Sequence, residues 1–587
     1  MLMTTPESLE VMLISPRLDA ARLFSDLRLV IIDEIHALAG TDRGAHLMSV
    51  IERVARVSRH DLQRVGLSAA VGNPDAILAW LAGTSRRGAR IVNPTRVPGR
   101  RQLLICHRPD LIPLAQAAAH VGKGQKILLF CQSRATSEAV AETMRRAGTA
   151  VFVHHSAVSR EERALAEERF HHGSDACIVC TSTLELGIDV GDLDRVLQAE
   201  APDTVSAFLQ RMGRTGRRAG QAANMTFFCT CAESVLQSIA LVELAKSGWV
   251  ESVVVDRRCW PVLIHQLLAL ALATDGVTVD DAWAQLSRVP DFQGIQREEF
   301  DRLLDWMLRD QSLRLASGRL VLGPKSERLF GRRNFMELYA VFESPQTYQV
   351  QTTAGEPLGT LSQTFVDRLV EEVSCFLLGG RAWVTLRLEH QGRRVVVERA
   401  PRGREPSWGG FLPQFLGYEV CERIRLILAD GEVFGYLDSE ANKLLASQRE
   451  AMLGVVGSDA DAFEASDGEI RWWTFAGGRI NSTLRYAIQA ISEDWTVVPS
   501  NFWIRVRGKD LDAPAFRVCL KRLGEPMLWQ DEALWMDVAE SLPNYRMSKF
   551  QSLMPAWVER EVLARYLLDV QGARHWLRAA DLGSVAA

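Results

Sequence analysis

The run Leu29-Val-Ile-Ile-Asp-Glu-Ile-His36 constrains the fold more than any other stretch of this chain. Four consecutive aliphatic residues without polar alternation read as a strand covered on both faces, the situation of parallel sheets flanked by helices. Parallel neighbours require crossover connections, so the surrounding sequence must alternate strand with helix. Two carboxylates and a histidine follow at the strand's carboxyl end, the edge along which open α/β sheets hold ligands. One further strand pattern, Gln63–Leu67, lies nearby. Two strands are too few for a complete sheet of this kind, so residues 1–100 read as an α/β half-domain.

The theme returns more fully over residues 101–250. Strand patterns at Lys126–Cys131, Ala150–His154, Ala176–Cys180 and Asp194–Gln198 alternate with amphipathic helices at Ala135–Ala147, Arg160–Phe170 and Thr204–Met212. That alternation predicts a doubly wound parallel sheet. Beyond Cys259 the period changes. Trp260–Ala271 reads as an apolar helix, Thr278 caps a second helix through Leu286, and Gln296–Arg309 forms a third. Ser312–Leu322 then reads as a hairpin turning at Ser317-Gly318. Three helices and a hairpin describe a winged helix over 251–330. Residues 331–587 are mixed α+β, with a hairpin at Trp383–Glu389 and Arg394–Arg399 and strand enough for a small barrel-like part. Arg471–Ile480 reads as a strand, a glycine turn and a helix start. The fold class is α/β and α+β multidomain, in keeping with 587 residues.

With 47% apolar and 24% charged residues, the composition gives no reason to expect disorder. No uncharged apolar run reaches membrane-spanning length, and Met1–Pro6 lacks the basic and apolar regions of a secretory signal. Ten scattered cysteines fit a reducing cytoplasm. Cys177 and Cys180 have zinc-like spacing but share a predicted strand, which points their sulfurs to opposite faces. The net charge of −4 does not advertise nucleic acid, so local clusters matter more. One comprises Arg211, Arg214, Arg217 and Arg218; another comprises Arg393, Arg394, Arg399, Arg402 and Arg404.

Several segments carry chemistry. A strand-terminal Asp33 suits Mg²⁺, Glu34 suits the orientation and deprotonation of water, and His36 can hydrogen-bond across a cleft. The plain alternative for this Asp-Glu pair is a helix cap. In Gln210-Arg-Met-Gly-Arg-Thr-Gly-Arg217 the glycines interrupt helical logic, leaving Arg214 and Arg217 able to neutralise a transferring phosphoryl group. Thr181 and Ser182, at a strand's carboxyl end, offer hydroxyls to a phosphate backbone, with Gly187 and Asp189 nearer a nucleotide. Thr4 and Thr5, within Thr4-Thr-Pro-Glu7, offer the same contact or simply begin a helix. The phosphate-cradling loop G-x-x-x-x-G-K-[ST] occurs nowhere in the 587 residues; Gly122-Lys123 and Gly508-Lys509 are followed by Gly124 and Asp510. Trp408, Trp472 and Trp473 are candidates for stacking on an unpaired base.

These segments, in this order, resemble the conserved motifs of superfamily-2 DEAD/DEAH-type helicases. Thr4–Glu7 looks like motif Ib, Asp33–His36 motif II and Leu67-Ser-Ala-Ala70 motif III. Gln132-Ser133-Arg134 looks like motif IV, Thr181–Val190 motif V and Gln210–Arg217 motif VI. The winged helix, followed by Leu377-Leu-Gly-Gly-Arg-Ala-Trp383 and Trp472-Trp-Thr-Phe-Ala-Gly-Gly-Arg479, resembles the large helicase-related (Lhr) family. The resemblance implies two RecA-like domains, the first incomplete, with ATP and Mg²⁺ between them. It implies 3′-to-5′ movement on single-stranded DNA, displacement of DNA or RNA:DNA duplexes, a place in DNA repair, and strand contacts from motifs Ib, IV and V, including Ser133 and Arg134. Two departures stand out. The family's P-loop should precede Thr4, so the chain reads as N-terminally truncated and unable to hydrolyse ATP as given. Ala70 stands where the family pattern has threonine. The alternative is a non-hydrolysing single-stranded nucleic-acid-binding protein, and oligomeric state stays open.

Overall fold

The computed structural model describes the chain except residues 16, 94–99, 155–166, 174, 186–192, 217–221, 273–275, 331–346, 356, 363–365, 367–368, 370–374, 379–380, 390–391, 400–414, 457–462, 467, 544, 546 and 581–587. Gly187, Asp189, Arg217, Arg218, Arg402, Arg404 and Trp408, with most of the Arg160–Phe170 pattern, lie outside the described residues.

In the first part, β1 (Leu29–Ile32) pairs in parallel with β2 (Gln63–Gly66), from Leu29 opposite Gln63 to Ile32 opposite Gly66. The strand is not covered on both faces, as its sequence suggests. Leu29 and Ile31 are 44% and 59% exposed, whereas Ile32 is buried against the Asp42–Val57 helix and its neighbours. Among the described residues β1 has β2 as its strand partner and buries one face. The core on the covered side is shared with the winged helix, since Met48, Val50 and Trp80 belong to one cluster with Trp260, Leu267, Phe300, Phe550 and Val558. Inside that junction Glu10, from the Pro6–Ile14 helix, is fully buried with Arg53, His46 and the Gln266 amide as partners. Burial pushes its carboxyl up, but the charge of Arg53 and the hydrogen bond with His46 hold it well below the usual range.

The second sheet is six-stranded and wholly parallel, in the order β3-β8-β7-β4-β6-β5. Its strands are β3 (Arg101–His107), β4 (Lys126–Phe130), β5 (Val151–His154), β6 (Ala176–Cys180), β7 (Arg195–Ala199) and β8 (Ala223–Cys229). The sequence reading anticipated four of these and missed β3 and β8. Both begin beside basic or glycine-rich runs, and β8 has polar Asn224 and Thr226 within it. On β6, Cys177 packs in the core on one face and Cys180 in the core on the other, so the pair forms no metal site. The outer edge of β3 is covered by a later segment: Ile105 donates to the Tyr436 carbonyl at 2.7 Å, and Asp438 N–H donates back to Ile105 at 2.9 Å. Covering an edge in this way removes a site for unwanted strand pairing.

The winged helix comprises helices Trp260–Leu272, Val279–Leu286 and Arg297–Arg309 with the hairpin β9 (Leu313–Ala316) and β10 (Arg319–Leu322). Thr278 caps the second helix by accepting from Asp281 N–H at 3.2 Å. Next comes a five-stranded mixed sheet, ordered β12-β11-β15-β14-β13, from β11 (Thr347–Thr352), β12 (Pro357–Ser362), β13 (Cys375–Leu378), β14 (Arg381–Glu389) and β15 (Arg394–Arg399). This is the part read as barrel-like, and its ladders leave β12 and β13 at opposite ends among the described residues. The last sheet is antiparallel, ordered β16-β17-β19-β18, from β16 (Phe463–Ser466), β17 (Glu469–Trp472), β18 (Thr496–Pro499) and β19 (Ile504–Arg507). Its inner face packs on helices Gly478–Ile491, Ala513–Leu523 and Val570–Ala579. Among the described residues, no helix is long and apolar enough to cross a membrane.

Candidate nucleotide cleft

Backbone bonds at the carboxyl ends of β1 and β2 draw two sequence motifs together. Leu67 N–H donates to Ile32 at 2.8 Å and Ile35 N–H to Leu67 at 2.9 Å, which sets Ser68 and Ala69 beside His36. Glu34 sits between them at φ 49°, in the left-handed region that a side chain of its size rarely adopts. Its amide donates to Asp33 Oδ1 at 3.0 Å. Asp33 is exposed, and Glu34 is half-buried and faces the cleft.

His36 is the bridge. Its Nδ1 accepts from the Ala69 amide at 3.3 Å and lies 3.2 Å from Ser68 Oγ and 3.6 Å from Glu34. Burial pushes its pKa down, against the raising effect of Glu34 and Asp33, so the ring is neutral near pH 7. Its Nε2 lies 2.8 Å from the side-chain amide of Gln210, in the second α/β part. The Gln210 amide nitrogen that meets it also donates to Ser206 Oγ at 3.1 Å.

Gln210 lies on the Val205–Met212 helix, whose start is tied down twice. Thr204 Oγ1 accepts from Ala207 N–H at 3.1 Å, and the Glu251 carboxylate accepts from Val205 and Ser206 at 2.6 and 3.0 Å. Glu251 belongs to an extended strap that also meets the first part: its carbonyl accepts from Gly72 N–H at 3.2 Å, and Asn73 exchanges two 2.8 Å bonds with Val253. This strap went unread in the sequence because Glu251 is 46 residues from the helix it caps.

The helix leads into the basic motif, whose arginines divide in role. Arg211 is buried in an ion pair with Glu185 at 2.8 Å, bonds Gln198 Oε1 at 2.7 Å and lies over the Phe130 ring. It holds the fold, a correction to its reading as part of a groove-lining cluster. Arg214 is also largely buried; it donates to the Glu185 carbonyl and borders the cleft. Glu185, absent from the sequence reading, thereby positions both.

Between the two parts lies a cleft of about 500 Å³. Glu34, Ala69 and Ala70 line one wall; Gln210, Gly213, Arg214 and Gly216 line the other, with Arg100 and Arg101 at its margin. Three arginines and exposed glycine backbone suit a polyphosphate, and Mg²⁺ needs few protein ligands when phosphates complete its shell. No trio of metal-ligating side chains occurs among the described residues.

The residues read as strand contacts lie outside the lining of this cleft. Thr5 caps the Pro6–Ile14 helix by accepting from Ser8 N–H at 3.2 Å, and Thr4 is exposed beside it. Ser133 caps the Arg134–Arg146 helix by accepting from Thr136 N–H at 3.0 Å. Thr181 and Ser182 follow β6, beside Thr183, which bonds His154 Nδ1 at 2.9 Å. Trp472 is corrected outright. It is fully buried, packed on Phe516 and Trp576 because alternate residues of β17 face the core, and so cannot stack on a base. Trp473 points to the other face, half-buried and stacked on Phe475.

Comparison with known proteins places this arrangement. Residues 1–77 match the DEAD/DEAH box helicase model, 110–219 the helicase conserved C-terminal domain, and 243–406 the winged helix domain of large helicase-related protein. The chain is 29% identical to Lhr helicase/uracil glycosylase of Escherichia coli (strain K12), covering 80% of this chain and 36% of that protein. It is 26% identical to ATP-dependent helicase Lhr-Core of Sulfolobus acidocaldarius, covering 69% and 48%. The chain thus spans roughly a third to a half of these relatives. In fold it resembles Mycobacterium smegmatis helicase Lhr, solved bound to ssDNA and AMP-PNP, with a TM-score of 0.70, 22% identity and coverage of 99% of this chain and 80% of that one. The chain belongs to the large helicase-related (Lhr) family of superfamily-2 helicases.

Proposed function

We propose that this chain is part of an ATP-dependent 3′-to-5′ translocase that moves on single-stranded DNA and parts DNA or RNA:DNA duplexes. In this reading 1–100 is the remnant of RecA-like domain 1, 101–250 is RecA-like domain 2, 251–330 is the winged helix, and 331–587 is the C-terminal α+β domain. The observation that carries it is the cleft in which Glu34 lies on one wall and Arg214 on the other, with His36 bonded to Gln210 across it. ATP and Mg²⁺ supply an activated phosphoryl group there. Asp33 holds the metal and Glu34 takes the proton of the attacking water. Arg214 and Arg217 neutralise developing charge, and Gly187 and Asp189 border the nucleotide. Thr4, Thr5, Ser133, Arg134, Thr181, Ser182, Trp408 and Trp473 serve the strand. Free, mostly buried thiols fit work in the cytoplasm.

The second reading is that of a single-strand binder which does not hydrolyse ATP. ATP turnover by this chain, with and without single-stranded DNA and beside Glu34→Gln, decides between them. DNA-stimulated turnover that disappears in Glu34→Gln supports the motor. DNA binding indifferent to ATP, without turnover, supports the binder. Equal turnover in both proteins sinks the assignment of Glu34.

A further inference from the structure

The outer face of the last sheet carries a group that the nucleotide cleft does not use. Along β17, Ile470 and Trp472 face the core, which turns Glu469 and Arg471 outward; along β19, Ile504 and Val506 face the core, which turns Arg505 and Arg507 outward. Arg471 and Arg505 are direct cross-strand partners, as are Glu469 and Arg507. The second pair is an ion pair at 2.5 Å. The first sets like charges opposite each other, an arrangement that costs stability unless something else engages them. Besides the charge of Glu469, what engages them is a pair of indoles. The Arg471 guanidinium lies 5.4 Å from the Trp503 ring centroid and that of Arg505 lies 5.9 Å from it, while Arg471 also lies 5.8 Å from Trp473. The Nε atoms of both arginines and the Trp473 Nε1 are buried without a hydrogen-bond partner. Glu464, across β16–β17 from Arg471, forms no ion pair with it among the described residues.

We propose that this face, centred on Arg471, Arg505 and Trp503, binds single-stranded nucleic acid, with the two guanidiniums on backbone phosphates and a base against the Trp503 ring. Two half-buried guanidiniums side by side on one sheet face match an oxyanion pair, and a planar indole flanked by them matches a base. An acidic polypeptide could meet the charges but leaves the indole without a planar partner. The proposal rests on the nucleic-acid reading above and adds a second track, distinct from the hydroxyls after β6 and at the helix starts.

The test is equilibrium binding of fluorescent oligo-dT to the full chain across a salt series. Arg471→Gln/Arg505→Gln should weaken binding about tenfold and flatten the dependence of log K on log salt by about 1.4, at roughly 0.7 per single-strand phosphate. Trp503→Leu should cost roughly fivefold or more on oligo-dT and nothing on an abasic oligonucleotide. Arg471→Lys/Arg505→Lys keeps the charge and guards against misfolding; it should retain most of the salt slope. A parent that binds while the glutamine variant binds equally, with the same slope, overturns this face and leaves the general reading standing. A parent that does not bind overturns both. Displacement by polyglutamate with Trp503→Leu inert assigns the face to acidic polypeptide and also overturns it.

Discussion

At the residue scale, burial decides which side chains are chemistry and which are framework. Arg211 and Arg214 are three positions apart and look alike in sequence, yet the first is locked in an ion pair and the second borders the cleft. Trp472 and Trp473 separate in the same way, by strand alternation. The charged group most at odds with its surroundings is Asp291, in the turn before the Arg297–Arg309 helix. It is 1% exposed, its Oδ2 accepts from Trp80 Nε1 at 2.9 Å, and burial raises its pKa to about 7, with Asp256 and Asp42 adding to the rise against the Trp80 bond. An unfolded aspartate titrates near 3.9. Between about pH 4 and pH 7 the folded state therefore holds a proton that the unfolded state has lost. Stability from this group is fully present below that window and falls as pH rises through it. Asp291→Asn should remove that fall while keeping an acceptor for Trp80. The unfolding free energy of the variant, from denaturant titration, should gain on that of the parent as pH goes from 5 to 8, by an amount on the order of 1–4 kcal/mol. A constant difference between the two proteins would contradict the assignment.

At the scale of elements, the sequence was informative where a strand was buried and homogeneous. Ala176–Cys180 reads as a strand with its true bounds, and the winged-helix helices fall within a residue or two of their patterns. Arg101–His107 and Ala223–Cys229 were missed because their hydrophobic signal is diluted by polar residues that pairing in the six-stranded sheet tolerates. The candidate site was half legible. Asp33, Glu34, His36, Gln210 and Arg214 announce themselves by motif, whereas Glu185, Glu251 and Arg505 gain meaning only from neighbours distant in sequence. The strap around Glu251 leaves its mark on two glycines. A Cβ on Gly72 would stand 2.2 Å from the Val250 carbonyl oxygen, and one on Gly40, at φ 76°, would stand 2.5 Å from that of Val254. Gly40→Ala should cost roughly 1–3 kcal/mol through the clash and the left-handed backbone together, read as a lower thermal midpoint. An unchanged midpoint would show that the strap yields freely.

At the scale of the whole molecule, the strap makes the two walls of the cleft parts of one mechanical unit. Its carboxylate holds the amides of Val205 and Ser206, and its backbone holds that of Gly72. Glu251→Ala should speed hydrogen exchange at Val205 and Ser206 and also at Gly72, on the far wall; acceleration confined to the helix would show the walls to be independent. The shared core has a different consequence, for the order in which the chain is made. Ile32 and Met48 complete their packing with Trp260, and that cluster closes only with Phe550 and Val558. In synthesis from the amino end, Ile32 and Met48 thus cannot finish their packing until Phe550 and Val558 have emerged, whereas the six-stranded sheet needs only residues 101–229 to form its ladders. The ladders of the middle can therefore form before the cluster around Met48 closes, while the core beneath those ladders waits in its turn for Val420, Leu437 and Phe475.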